Sequence, residues 1–270
     1  MSAPILIRGG GDLASGVALR LYRSGLKVIV SELPQPLAVR RTVSFAEAVF
    51  DGQVEVEGVT ARLVEREQVQ VTLDAGEIPV IIDPDASILT ELSIPIVIDG
   101  RLTKHPPAPL STNVALHIGL GPGFHARQNC HAVIETRRSH TLGRVYWDGP
   151  TQPDSGQPEG DPRRVLRAPT DGRLVGHAQI GDHLAEGDLV AEVQSTSEDH
   201  RSKIVSPFQG VLRGLLHPGL QVTTGLKVGD VDPRDNREIC FLVSDKALAI
   251  GGGVLEALLS RAELHNTLWE

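Results

Sequence analysis

The chain has 270 residues, enough for two modest domains with cores of their own. Apolar residues make up 40% of it but aromatics only 3%, so any core must rest on Val, Leu, Ile and Ala. A formal charge of −8 argues against general nucleic-acid binding, which needs a basic surface, and no apolar run reaches the roughly twenty residues that span a bilayer.

The first forty residues read as strand, glycine loop, helix, strand and acid. Pro4–Arg8 is a short apolar run that begins almost at the first residue, so the start is not read as a signal peptide. Gly9, Gly10, Gly11, Asp12, Leu13, Ala14, Ser15 and Gly16 follow, and Leu13, Val17 and Leu21 then recur at helical spacing until Gly25. Lys27–Ser31 is a second apolar run, closed by Glu32. Gly9, Gly11 and Ala14 fit the pattern G-x-G-x-x-G/A, in which glycines allow a tight turn and close approach of backbone to a phosphate. The helix N-terminus adds amides and a favourable dipole. The expected binding set is Gly9, Gly10, Gly11, Asp12, Ala14 and Ser15 around a phosphate, with Glu32 on a ribose hydroxyl. The same order of elements also occurs in turns that merely connect a parallel sheet.

Strands and helices keep alternating to about residue 105. Ser44 and Glu47 suggest a capped helix in the second half of Pro36–Phe50. Gln53–Leu63 reads as a hairpin turning at Glu57-Gly58. Pro79–Asp83 and Pro95–Asp99 are buried strands, with Asp85 a candidate cap for a short helix between them. Runs apolar on both faces imply a parallel sheet covered on both sides, and Asp83 and Asp99 would end strands at its carboxyl edge.

Gly119, Gly121 and Gly123 surround Pro122 in a third loop, a candidate anion nest. Arg137, Arg138 and Arg144 follow, and arginine forks suit phosphates, although such a run can equally face solvent. His125, Cys130, His131 and His140 match no standard zinc spacing, so no metal site is assigned. Cys130 is a weak catalytic candidate, as a nucleophile or sulfur carrier, against the commoner reading of an inert buried thiol. With Cys240 it completes a pair of cysteines, too few for a disulfide framework, and a cytoplasmic location is expected.

Pro150–Pro162 is polar and proline-rich, a linker or exposed loop. Beyond it, Ala168 onward aligns on Ser206 onward at an offset of 38 residues, pairing Gly172 with Gly210, Leu174 with Leu212, Gly181 with Gly219, Gly187 with Gly225 and Val190 with Val228. Two such halves should pack as a flattened β-barrel. The pattern resembles the biotinyl/lipoyl-type barrel-sandwich hybrid, whose carrier versions present a modified lysine on the joining hairpin. Here Gln194–Ser202 holds no lysine at its tip, so no covalent biotin or lipoate is expected. Ile239–Val243 reads as a last strand, and Gly251, Gly252 and Gly253 as a glycine cluster starting a terminal helix, more for packing than for phosphate.

The expected fold is therefore α/β: a Rossmann-like parallel sheet domain over 1–149, a linker over 150–163, a β-rich barrel-sandwich hybrid over 164–235, and a terminal strand and helix over 236–270 packing back on a core domain.

The segments IRGGGDLASGVALRLYRSG, ELPQPLAVRRTVSFAEAV, GLGPGF, HAVIETRRSHTLGRV, VGDVDPR and SDKALAIGGGVLEAL resemble the YqeB-type accessory proteins of selenium-dependent molybdenum hydroxylases over almost the whole chain. The first part is also similar to the Rossmann-like part of XdhC-type accessory proteins. Arg127 after Ala126, and Ser139 before His140, stand where that pattern has glycine. The resemblance implies a maturation factor that binds a nucleotide or molybdopterin-type cofactor and meets a molybdenum hydroxylase as its partner. Against it stand an NAD-linked oxidoreductase or nucleotide-using transferase, and a scaffold with an empty nucleotide-binding domain. Whether the protein is itself an enzyme stays open, as does a homo-oligomer paired through a strand edge or the terminal helix.

Overall fold

The computed structural model describes residues 2–156, 160–195 and 201–269. The chain forms two compact units, one of Met1–Pro36, Ser44–Asp154 and Val243–Glu270, the other of Leu37–Val43 and Ser155–Leu242.

The first unit opens with β1 (Ile5–Arg8), α1 (Asp12–Arg23) and β2 (Val28–Glu32). It continues through α2 (Ala48–Asp51), β3 (Gln53–Val56), β4 (Val59–Leu63), α3 (Val69–Asp74), β5 (Ile78–Ile82), α4 (Ile88–Glu91), β6 (Ile96–Asp99) and β7 (Leu116–Leu120). The short strands β8 (His125–Ala126), β9 (Ala132–Ile134), β10 (Val145–Tyr146) and β11 (Gly149–Pro150) follow, and α5 (Asp245–Leu259) and α6 (His265–Trp269) complete it. Nine strands form one sheet in the order β10-β9-β7-β6-β1-β2-β5-β4-β3, while β8 and β11 pair separately.

That sheet is mixed, which corrects the expected Rossmann-like parallel sheet. The strands from β9 to β4 run parallel, but β3 and β10 are antiparallel at the two edges. Glu57 and Gly58 both have positive φ, 47° and 81°, the left-handed turn that folds β3 back on β4. The helical cover of a doubly wound sheet is also thin. Helices α2 and α4 have four residues each, and β6 reaches β7 through residues 100–115 without a helix. One face buries Leu6, Ile29, Val69, Ile81, Ile88 and Val97 in a core free of aromatic rings.

Three local expectations change. Asp83, not Asp85, holds the start of α4, its carboxylate accepting the amides of Ser87 at 3.0 Å and Ile88 at 2.9 Å. Ile239–Val243 forms no strand: Glu238–Cys240 is a 3-10 turn, with Cys240 buried and Phe241 and Leu242 exposed. The cluster Gly251–Gly253 lies inside α5, which starts at Asp245 under a Ser244 cap. There a Cβ on Gly251 would press Arg20 and Gly16, and one on Gly253 would strike the Gly143 carbonyl.

The second unit holds β12 (Val165–Arg167), β13 (Gly172–Gly176), β14 (His183–Leu184), β15 (Leu189–Gln194), β16 (Arg201–Val205), β17 (Gly210–Leu215), β18 (Gln221–Val222) and β19 (Lys227–Asp232). They form two antiparallel sheets, β12-β19-β17-β14 and β16-β15-β13-β18. The repeat is visible in this exchange, since β14 of the first half joins the second half's sheet and β18 does the reverse. Among the described residues no strand pairing joins the two sheets, so the expected barrel-sandwich hybrid of biotinyl/lipoyl type is corrected to two separate four-stranded sheets. Within the joining hairpin, residues 196–200 lie outside the described residues. Leu37–Val43 belongs to this unit through Arg40, which donates to the carbonyls of Ile239 and Leu242, and Thr42, which donates to Cys240. No helix among the described residues is long and apolar enough to cross a membrane.

Candidate functional site at the carboxyl edge of the mixed sheet

Strand β1 lies between β2 and β6, so the chain leaves it on one side and later returns on the other. The loops after β1 and β6 therefore diverge from adjacent carboxyl ends, the place where open α/β sheets form a crevice. In register there, Arg8 sits opposite Asp99.

The glycine turn after β1 is held by protein groups at most of its points. Gly9 has φ +88° and its amide donates to the Ser31 carbonyl at 2.7 Å. The Gly10 amide donates to Glu32 Oε1 at 2.7 Å, and the Leu33 amide to Glu32 Oε2 at 2.6 Å. A Cβ on Gly10 would lie 2.8 Å from the Ala46 nitrogen. Ser15 Oγ donates to the Gly10 carbonyl at 2.8 Å and accepts the Phe45 amide at 2.7 Å. Gly10, Ser15 and Glu32 thus build the turn. Glu32 points inward, where burial pushes its pKa up against the pull of the two amides, and both its oxygens are engaged rather than presented to a ribose.

Gly11 differs. Its φ of −69° suits any residue, and a Cβ there would meet nothing within 4 Å. It is the N-cap of the twelve-residue α1, which no side chain caps, and Asp12 occupies the first turn. Ala14 provides the close packing expected of it, since a Cβ on Gly100 would lie 2.7 Å from its own.

Two guanidinium groups share Asp99, which is fully buried. Arg101 grips it with both prongs, Nε at 2.8 Å and Nη2 at 2.6 Å, and remains about one-third exposed. Arg8 Nη1 lies 3.5 Å from Asp99 and its Nη2 donates to the Pro84 carbonyl at 2.9 Å, its side chain almost wholly buried. Two cations thus share one buried carboxylate at this edge, with Asp83 and Asp85 also acting on Arg8. The Arg101 backbone nitrogen and Cγ pack beside Gly9, 3.5 Å from where its Cβ would stand, so the strand ends meet through backbone there. Composition offers only a faint signal for Arg8 and Arg101: charged residues closing or following buried strands.

The other glycine loop flanks residues 100–103 from the opposite side. The Gly123 amide donates to the Thr103 carbonyl at 2.8 Å, and a Cβ on Gly119 would collide with Phe124. Gly121 needs its φ of +92°. Gly119 closes β7 within the sheet, in register with Asp99 on one side and Val133 on the other. These three glycines pack the loop and do not form an open nest. Cys130 is buried with Phe124, Ala126 and Val133, and burial pushes its thiol up to about 11, outweighing the pull of nearby backbone amides. That environment keeps a thiol, not a nucleophilic thiolate. His117, one strand from Asp99, is buried edge-on against Phe124, with its Nε2 unpartnered and its pKa held down at about 4 by burial.

No family model matches the chain. The uncharacterized protein YqeB of Escherichia coli (strain K12) is 47% identical over 261 residues, covering 94% of this chain and 47% of that protein. Over that shared stretch the chain is similar to YqeB. The chain spans about half the length of this relative. Among solved structures, an aspartoacylase family protein from Mesorhizobium loti is 12% identical, covering 86% of this chain and 85% of its own, with a TM-score of 0.28. A succinylglutamate desuccinylase/aspartoacylase from Rhodobacter sphaeroides is 9% identical over 85% of this chain and 84% of its own, with a TM-score of 0.29. Scores at this level do not establish a common fold.

Proposed function

We propose that this chain is an accessory factor for a molybdenum hydroxylase, holding an anionic cofactor, a nucleotide or a molybdopterin-type molecule, by its phosphate at the edge between β1 and β6. The observation that carries this reading is Gly11. It is a glycine with no conformational or packing need, at a helix N-terminus without a side-chain cap, three residues beyond Arg8, which with Arg101 gathers on Asp99 at the carboxyl edge. Absence of a side chain there leaves room for an oxyanion against backbone amides, the usual chemistry of helix N-termini. Glu32 is engaged within the turn, so ribose recognition is not part of the proposal. The partner hydroxylase and its selenium dependence come from the sequence segments that resemble this class of accessory protein.

Native mass spectrometry of the purified protein with NAD, ATP, CTP and molybdopterin species tests the reading. A stoichiometric adduct with a molybdopterin species or a nucleotide, abolished by Gly11→Asp but kept by Gly11→Ala, is the expected result. No adduct, or one that survives Gly11→Asp, overturns it. A catalytic turnover of NAD would move the chain to the oxidoreductases.

A further inference from the structure

A groove of about 600 Å³ runs between the segment from His140 to Tyr146 and helix α5. Its helix wall is made of Ala249, Gly252 and Gly253, with Glu256 one turn further on, and its other wall includes Arg144 and Tyr146. The loop is seated firmly: a Cβ on Gly143 would lie 2.6 Å from the Ala249 carbonyl, and Gly253 meets the Gly143 carbonyl. Packing therefore accounts for Gly251 and Gly253. Gly252 has no such reason, since a Cβ there would meet nothing within 4 Å. A glycine in mid-helix weakens the helix relative to alanine, and this one gains no contact in return. What it does is leave bare peptide groups on the wall of the groove.

We infer that this groove binds a small planar heterocycle carrying an anionic group. The ring lies on the helix backbone at Gly252, where no side chain stands in its way, and beside the Tyr146 ring. The anion meets Arg144, which is exposed and whose guanidinium makes, among the described residues, one long 3.4 Å hydrogen bond to the His140 carbonyl. Arg138, nearby in sequence, is already paired with Asp245. Glu256 is an acid on the same wall, so the edge of the ring that faces it must offer N–H donors, which a carboxylate accepts in pairs. Pterins and guanine nucleotides share that chemistry. The site is separate from the carboxyl edge and does not depend on the reading of Gly11.

Titration of the purified chain with pterin-6-carboxylate, followed by the intrinsic fluorescence of the probe, and competition by GMP test the assignment. Saturable binding by at least one probe is expected, weakened at least about tenfold by Gly252→Leu, which fills the groove, and by Arg144→Ala, which removes the anion's partner. The melting temperature of Gly252→Leu should equal or exceed that of the parent, because leucine is the better helix former. Should leucine disturb the helix, the exposed Arg144→Ala decides alone. Gly11→Asp should leave this binding unchanged. Competition by GMP marks a guanine-type occupant and its absence a pterin-type one. Failure of both probes to saturate at millimolar concentration, or binding that persists in Gly252→Leu and Arg144→Ala but is lost in Gly11→Asp, overturns the assignment.

Discussion

Glu32 accepts the Gly10 amide at 2.7 Å, so the acid that closes the second strand stabilises the glycine turn that closes the first. Its other oxygen takes the Leu33 amide at 2.6 Å. Glutamine can reproduce only one of these bonds, because its amide nitrogen would face an N–H donor. Glu32→Gln should therefore destabilise the protein at pH 7 by about 1–3 kcal/mol, the cost of one unsatisfied buried donor. Burial raises the native pKa of Glu32 above its unfolded value, so its contribution is full below about pH 4.5 and is lost as pH rises through the raised value. Urea midpoints from pH 4 to 8 should show that slope in the parent and a flatter profile in the variant.

The two neighbouring glycines separate structure from ligand binding. Gly10→Ala forces a methyl to within 2.8 Å of the Ala46 nitrogen, a backbone atom that cannot swing aside. A loss of about 1–3 kcal/mol is expected, or several degrees in melting temperature. Gly11→Ala meets open space at an ordinary φ of −69° and should melt within about a degree of the parent. Equal damage from both substitutions would mean that Gly11 carries a structural constraint too.

How far the sequence could be read follows from what is local. The strand, turn and helix of residues 5–32 are written in apolar runs and glycine spacing, as is the Glu57-Gly58 turn. Glu32 illustrates the limit. Its position twenty residues past the glycine turn points to a ribose, yet only the three-dimensional turn shows that Gly10 and Leu33 offer amides close enough to capture it. Sheet direction at the edges was equally hidden, because β10 returns antiparallel on β9 through a loop seated on α5, more than one hundred residues away in sequence. Glycines are hard to place for the same reason: Gly251 and Gly253 read correctly as packing residues, but as the start of a helix, whereas they lie inside one that begins at Asp245. Arg8 and Arg101 gained meaning only when Asp99 arrived between them.

Asp99 is the point where the candidate site and stability meet. Asp99→Asn takes from the nearly buried Arg8 its nearest counter-charge, leaving only Asp83 and Asp85 further off, and can keep at most one of the two Arg101 prongs. Breaking a buried pair on one side costs about 3–5 kcal/mol. Chemical denaturation should show a loss of that size, and Asp99→Asn combined with Arg8→Met should recover part of it.

Both cysteines are free and buried. With the Cys130 thiol pushed up to about 11, on the order of one molecule in three thousand carries the thiolate at pH 7.5, against roughly one in ten for an exposed cysteine. Ellman's reagent should leave the native protein essentially untouched and titrate both thiols once it is unfolded in guanidinium. Rapid labelling of Cys130 in the folded state would restore it as a nucleophile.

His117 sets an acid limit on the fold. Burial holds its native pKa at about 4, while the unfolded chain titrates near 6.5. Between those values the unfolded state binds a proton that the native state refuses, so stability falls as pH drops from about 6.5 towards 4. The difference amounts to about 3 kcal/mol when complete. His117→Phe keeps a ring against Phe124 without a titrating nitrogen and should flatten that part of the stability profile. The backbone amide of His117 would still donate to His131 Nδ1, so the strand pairing beside it is preserved. An NMR titration showing His117 protonated at pH 6 in the folded protein would contradict the burial that underlies this prediction.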